Sequence, residues 1–132
     1  MRFITLTRAN ITTTNGGTRL VCRPNRDLNA RLSGHRVQLV YLQLTGPNVD
    51  LYRLKYISMD VDSSSNRSPL WCSEVAFDST TDSVKAINVS SGHAHRYTEY
   101  HELVFNLLDD QFEPVRSRLE YTDVLIELAI YA

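Results

Sequence analysis

Thr122 to Ala132 read TDVLIELAIYA, and the spacing of apolar residues in this stretch decides the fold class. Val124, Ile126, Leu128 and Ile130 recur at every second position, which places their side chains on one face of a β-strand. Leu125 and Ala129 keep the opposite face largely apolar. A helix over Ser117 to Ala129 is compatible with Glu120 and Glu127, but the alternation and the β-branched residues favour a strand. A strand apolar on both faces belongs inside a sheet, where neighbours on each side satisfy its N–H and C=O groups. As the closing segment, with no polar tail after it, it is expected to be a core element.

The rest of the chain shows the same grammar of short apolar runs closed by turn residues. MRFITLT (Met1 to Thr7) is a strand, and Asn15-Gly16-Gly17 supplies positive φ for a hairpin from it into TRLVCR, Thr18 to Arg23. Pro24 ends that ladder because it has no N–H to donate, and NRDLNARLSG is a loop or one short helix finishing at Gly34. In HRVQLVYLQLTG (His35 to Gly46), Val37, Leu39 and Tyr41 alternate with Val40, Leu42 and Leu44, which predicts a central strand covered on both faces. LYRLKYISMDV (Leu51 to Val61) changes parity between Tyr56 and Ile57, as a β-bulge or a divided edge strand would. LWCSEVAFD, SVKAINVS and YHELVFNLLD are further strands, separated by GPNVD, DSSSNRSP and STTD as loops or turns. Asp109-Asp110 reads as a turn, since Asp side chains bond to N–H groups two residues ahead. Eight or nine short strands with little helix predict an all-β fold in a single domain over 1–132: an antiparallel β-sandwich, jelly-roll or Ig-like.

Composition narrows the function classes. With 42% hydrophobic and 22% charged residues the chain has the apolar content for a packed core, so disorder is not expected. A formal net charge of −1 provides no overall positive field for phosphates, which argues against nucleic acid as the partner. Arg23, Arg26, Arg31 and Arg36 do gather, but Asp27 offsets them and no aromatic residues interleave to stack bases. No run approaches the roughly twenty apolar residues of a membrane helix, and the start lacks the apolar core of a signal peptide. Cys22 and Cys72 are therefore expected as reduced thiols, and the sequons at Asn10, Asn66 and Asn88 as unused.

Chemistry-bearing residues concentrate in GHAHRYTEYHE. On a strand His93 and His95 face one side, and Glu99 would complete a facial set of metal ligands. The order H-x-H-x-x-x-E resembles the first metal motif of the cupins, themselves β-barrels, although no histidine follows His101 to supply the ligand of their second motif. A hydrogen-bonded polar loop is the plainer reading of the same residues. No G-x-S-x-G turn, P-loop, dinucleotide fingerprint or C-x-x-C pair occurs, and no cofactor is expected. Trp71, Tyr97, Tyr100, Tyr121 and Tyr131 fall near predicted strand ends, where aromatics serve as interface anchors.

ELVFNLLDDQFEPVRSRLEYTDVLIELAIYA, about thirty of the 132 residues, resembles the terminal hairpin of small β-rich structural proteins of double-stranded DNA viruses and virus-derived elements of animals, of the Maverick or adintovirus kind. The shared features are a strand ending in Leu-x-Asp, a polar turn, the apolar mark Pro114-Val115 and a final alternating strand. The resemblance implies a non-enzymatic virion subunit of capsid, penton, cement or fibre-head type. Its partners would be copies of itself, a trimer among the closed forms, and other virion proteins. Its place would be the virion or the host-cell cytoplasm or nucleus. Two other classes stand beside this: a small metal-dependent cupin-like enzyme using His93, His95 and Glu99, and a β-sandwich module binding a glycan or peptide receptor through Trp71 and the tyrosines.

Overall fold

The computed structural model of the protein describes residues 2–14, 19–46, 53–61, 71–87, 95–97, 102–115 and 123–131. The alternating segments form strands that divide between two antiparallel sheets. One contains β1 (Arg2–Thr7), β4 (Arg36–Thr45), β7 (Ala76–Asp78), β8 (Ser83–Ile87), β9 (His95–Arg96) and β11 (Asp123–Tyr131). Its order is β1-β11-β4-β8-β7, with β9 paired to the first residues of β4. The other contains β2 (Ile11–Thr14), β3 (Arg19–Cys22), β5 (Tyr56–Val61), β6 (Trp71–Glu74) and β10 (Leu103–Leu108), in the order β2-β3-β10-β5-β6. The described residues thus hold eleven strands where eight or nine were expected; β2 and β9 are too short to stand out as periodic segments.

The sheets share one apolar core. Ile4 and Leu6 of β1, Val84 and Ala86 of β8, and Val124, Ile126, Leu128 and Ile130 of β11 meet Leu20, Ile57, Met59, Leu103, Phe105 and Leu107 from the other sheet. The four alternating residues of β11 all point into this core, and β11 lies between β1 and β4, the interior position its two apolar faces required. On its opposite face Ala129 is fully buried, in one row with Phe3 and Gln38.

Strand β4 is central, but its two alternating sets are not two covered faces. Glu127 pairs with Tyr41 and Leu128 with Leu39, so Val40 is an extra residue in β4. The bulge switches the parity of the strand. Val37 and Leu39 before it and Leu42 and Leu44 after it all enter the same core, while Val40 and Tyr41 are half-buried. It also divides the strand between two neighbours, β9 before it and β8 after it. The bulge expected in β5 is absent: its registers with β10 and β6 run without a shift, and the parity change at Tyr56 marks where the strand starts.

Three pairings differ from expectation. Strand β1 pairs with β11, not with β3; the hairpin partner of β3 is β2, built from ITTT, residues that read as part of the turn. The segment LWCSEVAFD is not one strand. It crosses between sheets at buried Val75, whose N–H reaches Lys55 O at 2.9 Å, so that β6 and β7 lie in different layers. The terminal hairpin is also not formed: β10 and β11 lie in separate sheets, each flanked by two other strands, because both have more apolar residues than one pairing would cover.

The short helix exists as α1 (Arg26–Leu32). Asn25 caps it by accepting a hydrogen bond from Leu28 N–H at 2.9 Å, Leu28 and Leu32 are its buried residues, and Gly34 leaves it at φ 80°. A 3-10 turn at Arg8–Asn10 was not anticipated. The turns read at Asp109-Asp110 and at STTD are present. Asp109 accepts from Gln111 N–H at 2.9 Å and Glu113 N–H at 3.0 Å, and Asp78 accepts from Thr80 N–H at 3.0 Å. GPNVD beyond Gly46 and the DSSSNRSP loop lie outside the described residues. Among the described residues no helix is long and apolar enough to cross a membrane.

Candidate functional site

Of the residues singled out in GHAHRYTEYHE, His93, Glu99, Tyr100 and His101 lie outside the described residues. The backbone of His95 is placed in β9 opposite Val37. Tyr97 is the singled-out residue of this stretch that the structure describes fully, and it is 3% exposed. Its hydroxyl donates to Asn29 Oδ1 at 2.5 Å, its N–H to His35 O at 2.9 Å, and its carbonyl accepts from Gly34 N–H at 3.2 Å. Arg96 adds a bond from Nη1 to Gly34 O at 2.8 Å. Tyr97 therefore fastens α1 to the sheet from inside, and a surface role does not fit it. Its aromatic ring satisfies the core and its hydroxyl the polar helix, a combination residue type alone cannot distinguish from an interface anchor.

Tyr131 is half-buried on the outer face of the first sheet, where its hydroxyl donates to Gln38 Oε1 at 2.9 Å. On the same face Tyr41 donates to Gln43 Oε1 at 2.6 Å and Gln43 Nε2 to Thr45 Oγ1 at 3.2 Å, a polar ladder along β4. The backbone of Trp71 opens β6, an outer strand of the second sheet, opposite Met59. Tyr121 lies outside the described residues.

Arg23 pairs with Glu102 at 3.2 Å, and Arg26 and Arg31 are exposed on α1. Arg23 and Arg31 border a polar cleft of about 300 Å3, which also contains Asn10, Asn25 and Asp27. Cys22 lines the same cleft but is no nucleophile: burial pushes its thiol up to about 11, so it stays protonated near neutrality. Cys22 is free. The β3 and β6 positions of Cys22 and Cys72 are separated by β10 and β5, about 14 Å at ordinary strand spacing, which is beyond the reach of a disulfide.

No known family, curated protein or solved structure matches the chain.

What stands out on the described surface is aromatic. Phe3, Phe77 and Phe112 are 54%, 45% and 51% exposed. Phe112 has a local explanation: at φ 62° in the Asp109 turn, it stacks on Tyr56 with ring centroids 4.6 Å apart. Phe3 and Phe77 have none among the described residues. They lie on β1 and β7, the two outer strands of one sheet. Beside Phe77 is a shallow hollow of about 530 Å3, lined by Glu74, Ala76, Phe77, Asp78, Ser79 and Lys85. Asp78 is held in place there: the Thr80 hydroxyl, the Thr80 N–H and Lys85 Nζ, at 3.2 Å, pull its carboxyl down to about 2. Neither phenylalanine was an obvious candidate in the sequence. Alternation assigns Phe3 to the face opposite Ile4 and Leu6, but its exposure follows from β1 being an outer strand.

Proposed function

We infer that the two sheets are the layers of a jelly-roll sandwich and that the protein is a non-enzymatic structural subunit of a virion or virus-like particle, acting through contacts with copies of itself. The observation that carries this reading is the nested order of strand pairing. β1 pairs with β11, β3 with β10, β4 with β8 and β5 with β6, as in one long antiparallel hairpin wrapped around a barrel. Contacts of β11 with β4 and of β10 with β5 close the two layers. An Ig-like sandwich would set its last two strands side by side in one sheet, whereas β10 and β11 lie in different sheets. Jelly rolls serve capsid proteins, lectins and cupins alike, so the architecture by itself does not choose among them. Preference for the self-assembling class comes from the aromatic-bearing outer strands of the first sheet.

The test is the mass of the purified protein by light scattering, with electron microscopy and elemental analysis of the same sample. A closed homo-oligomer or particle without bound metal is expected. A single-protomer mass at working concentration overturns the reading. Stoichiometric transition metal, lost in a His93→Ala, His95→Ala double variant, would favour the cupin-like enzyme instead.

A further inference from the structure

We propose that copies of this chain join head to tail, with β1 of one copy extending the first sheet of the next along β7; this rests on the reading of the chain as a self-assembling subunit. β1 and β7 terminate that sheet, and each pairs with a single neighbour among the described strands. An outer strand presents a row of N–H and C=O groups that a further strand can pair with, and monomers usually blunt such edges with charge or brevity. Strand β7 is short, three residues, yet each edge bears a phenylalanine about half exposed, Phe3 at 54% and Phe77 at 45%.

Register determines how they would meet. Phe77 is opposite buried Val84, so it lies on the core side of the sheet, while Ala76 is opposite Lys85 on the outer side. Phe3 shares the outer side with Ala129, and Ile4 and Leu6 face the core. A sheet continued from β7 into β1 of a second copy would align Ile4 and Leu6 of that copy with Phe77. It would also lay Phe3 over Ala76 and the stem of Lys85, in the hollow of about 530 Å3.

Charge selects this contact over the symmetric one. Around β1, Arg2 and Arg8 outnumber Glu127, which lies opposite Thr5, whereas around β7 Glu74 and Asp78 are ion-paired with Lys55 and Lys85 and Asp82 adds a further carboxylate. Pairing β1 with a second β1 in antiparallel fashion would bring Arg2 of each copy towards Arg8 of the other, a like-charge arrangement. Pairing β1 with β7 joins unlike charges. A contact between two different patches leaves one of each free on every dimer, and so closes into a ring or extends.

Two folded variants decide the matter. Phe3→Asp should destroy the β1 patch and leave β7 intact, and Phe77→Asp should do the reverse. Each alone should sediment as a single protomer, and an equimolar mixture should yield a 1:1 dimer and nothing larger. Far-UV circular dichroism checks that both are folded, and Phe3→Ser with Phe77→Ser replaces them if the charge impairs folding. If the unaltered protein assembles and either variant keeps its mass, the head-to-tail contact is wrong while the structural-subunit reading stands. A mixture that stays at protomer mass also overturns the contact. If the unaltered protein is itself monomeric, both readings fall.

Discussion

Tyr97 and Cys22 illustrate how burial assigns roles that residue type leaves open. The Tyr97 hydroxyl ends on Asn29 of α1, so Tyr97→Phe should cost about 1 kcal/mol of stability, the usual net value of one such bond, without changing oligomeric mass. Urea unfolding followed by fluorescence measures the first and light scattering the second. Cys22 is buried and its thiol is raised to about 11. In a Cys72→Ser background it should therefore react with Ellman's reagent at pH 8 only as fast as the protein unfolds, and at full rate in denaturant. Asp78 has the opposite sign. Its carboxyl is lowered from 3.8 to about 2 in the fold, so the stability it contributes is complete above about pH 4 and lost as pH falls towards 2. Asp78→Asn should flatten the acid limb of the stability curve over that window, as thermal melts at stepped pH would register.

Among the elements, β4 carries the most consequential departure from simple alternation. Ten residues of strand, Arg36–Thr45, contain one extra residue at Val40, and the core positions on either side depend on it. Strict alternation through Val40, without the bulge, would push either Val37 and Leu39 or Leu42 and Leu44 towards solvent, whereas deleting Val40 leaves all four on one face. That deletion should retain cooperative unfolding, and Val40→Thr, at a half-buried site, should cost no more than about 1 kcal/mol. Circular dichroism melts of the two variants provide the comparison. The crossing at Val75 is similar in kind: nine residues that read as one strand serve two sheets because a single buried side chain turns the chain from one layer to the other. In both places local periodicity is genuine and its interpretation depends on a neighbour.

For the whole molecule, β11 is the element on which the first sheet closes, since it joins β1 to β4 over nine residues and contributes four core side chains. A chain ending at Asp123 should fail to fold, observed as loss of soluble protein and of a cooperative melt. Much of this was legible in the sequence. The strand character of β11, β4 and β10, the Asp109 turn and the interior position of β11 follow from side-chain period and local hydrogen-bonding chemistry, which act over a few residues, while a helix before Gly34 was one of two readings. Strand order was not legible. That β1 seeks β11 and not β3, that β10 and β11 part into different sheets, and that Val40 bulges are decided by which combination of pairings buries both apolar faces of the long strands at once. The exposure of Phe3 and Phe77 depends on the same choice. An alternating pattern states which residues share a face, but only the assembled sheets determine which strands are left outermost and therefore which side chains remain open to another copy.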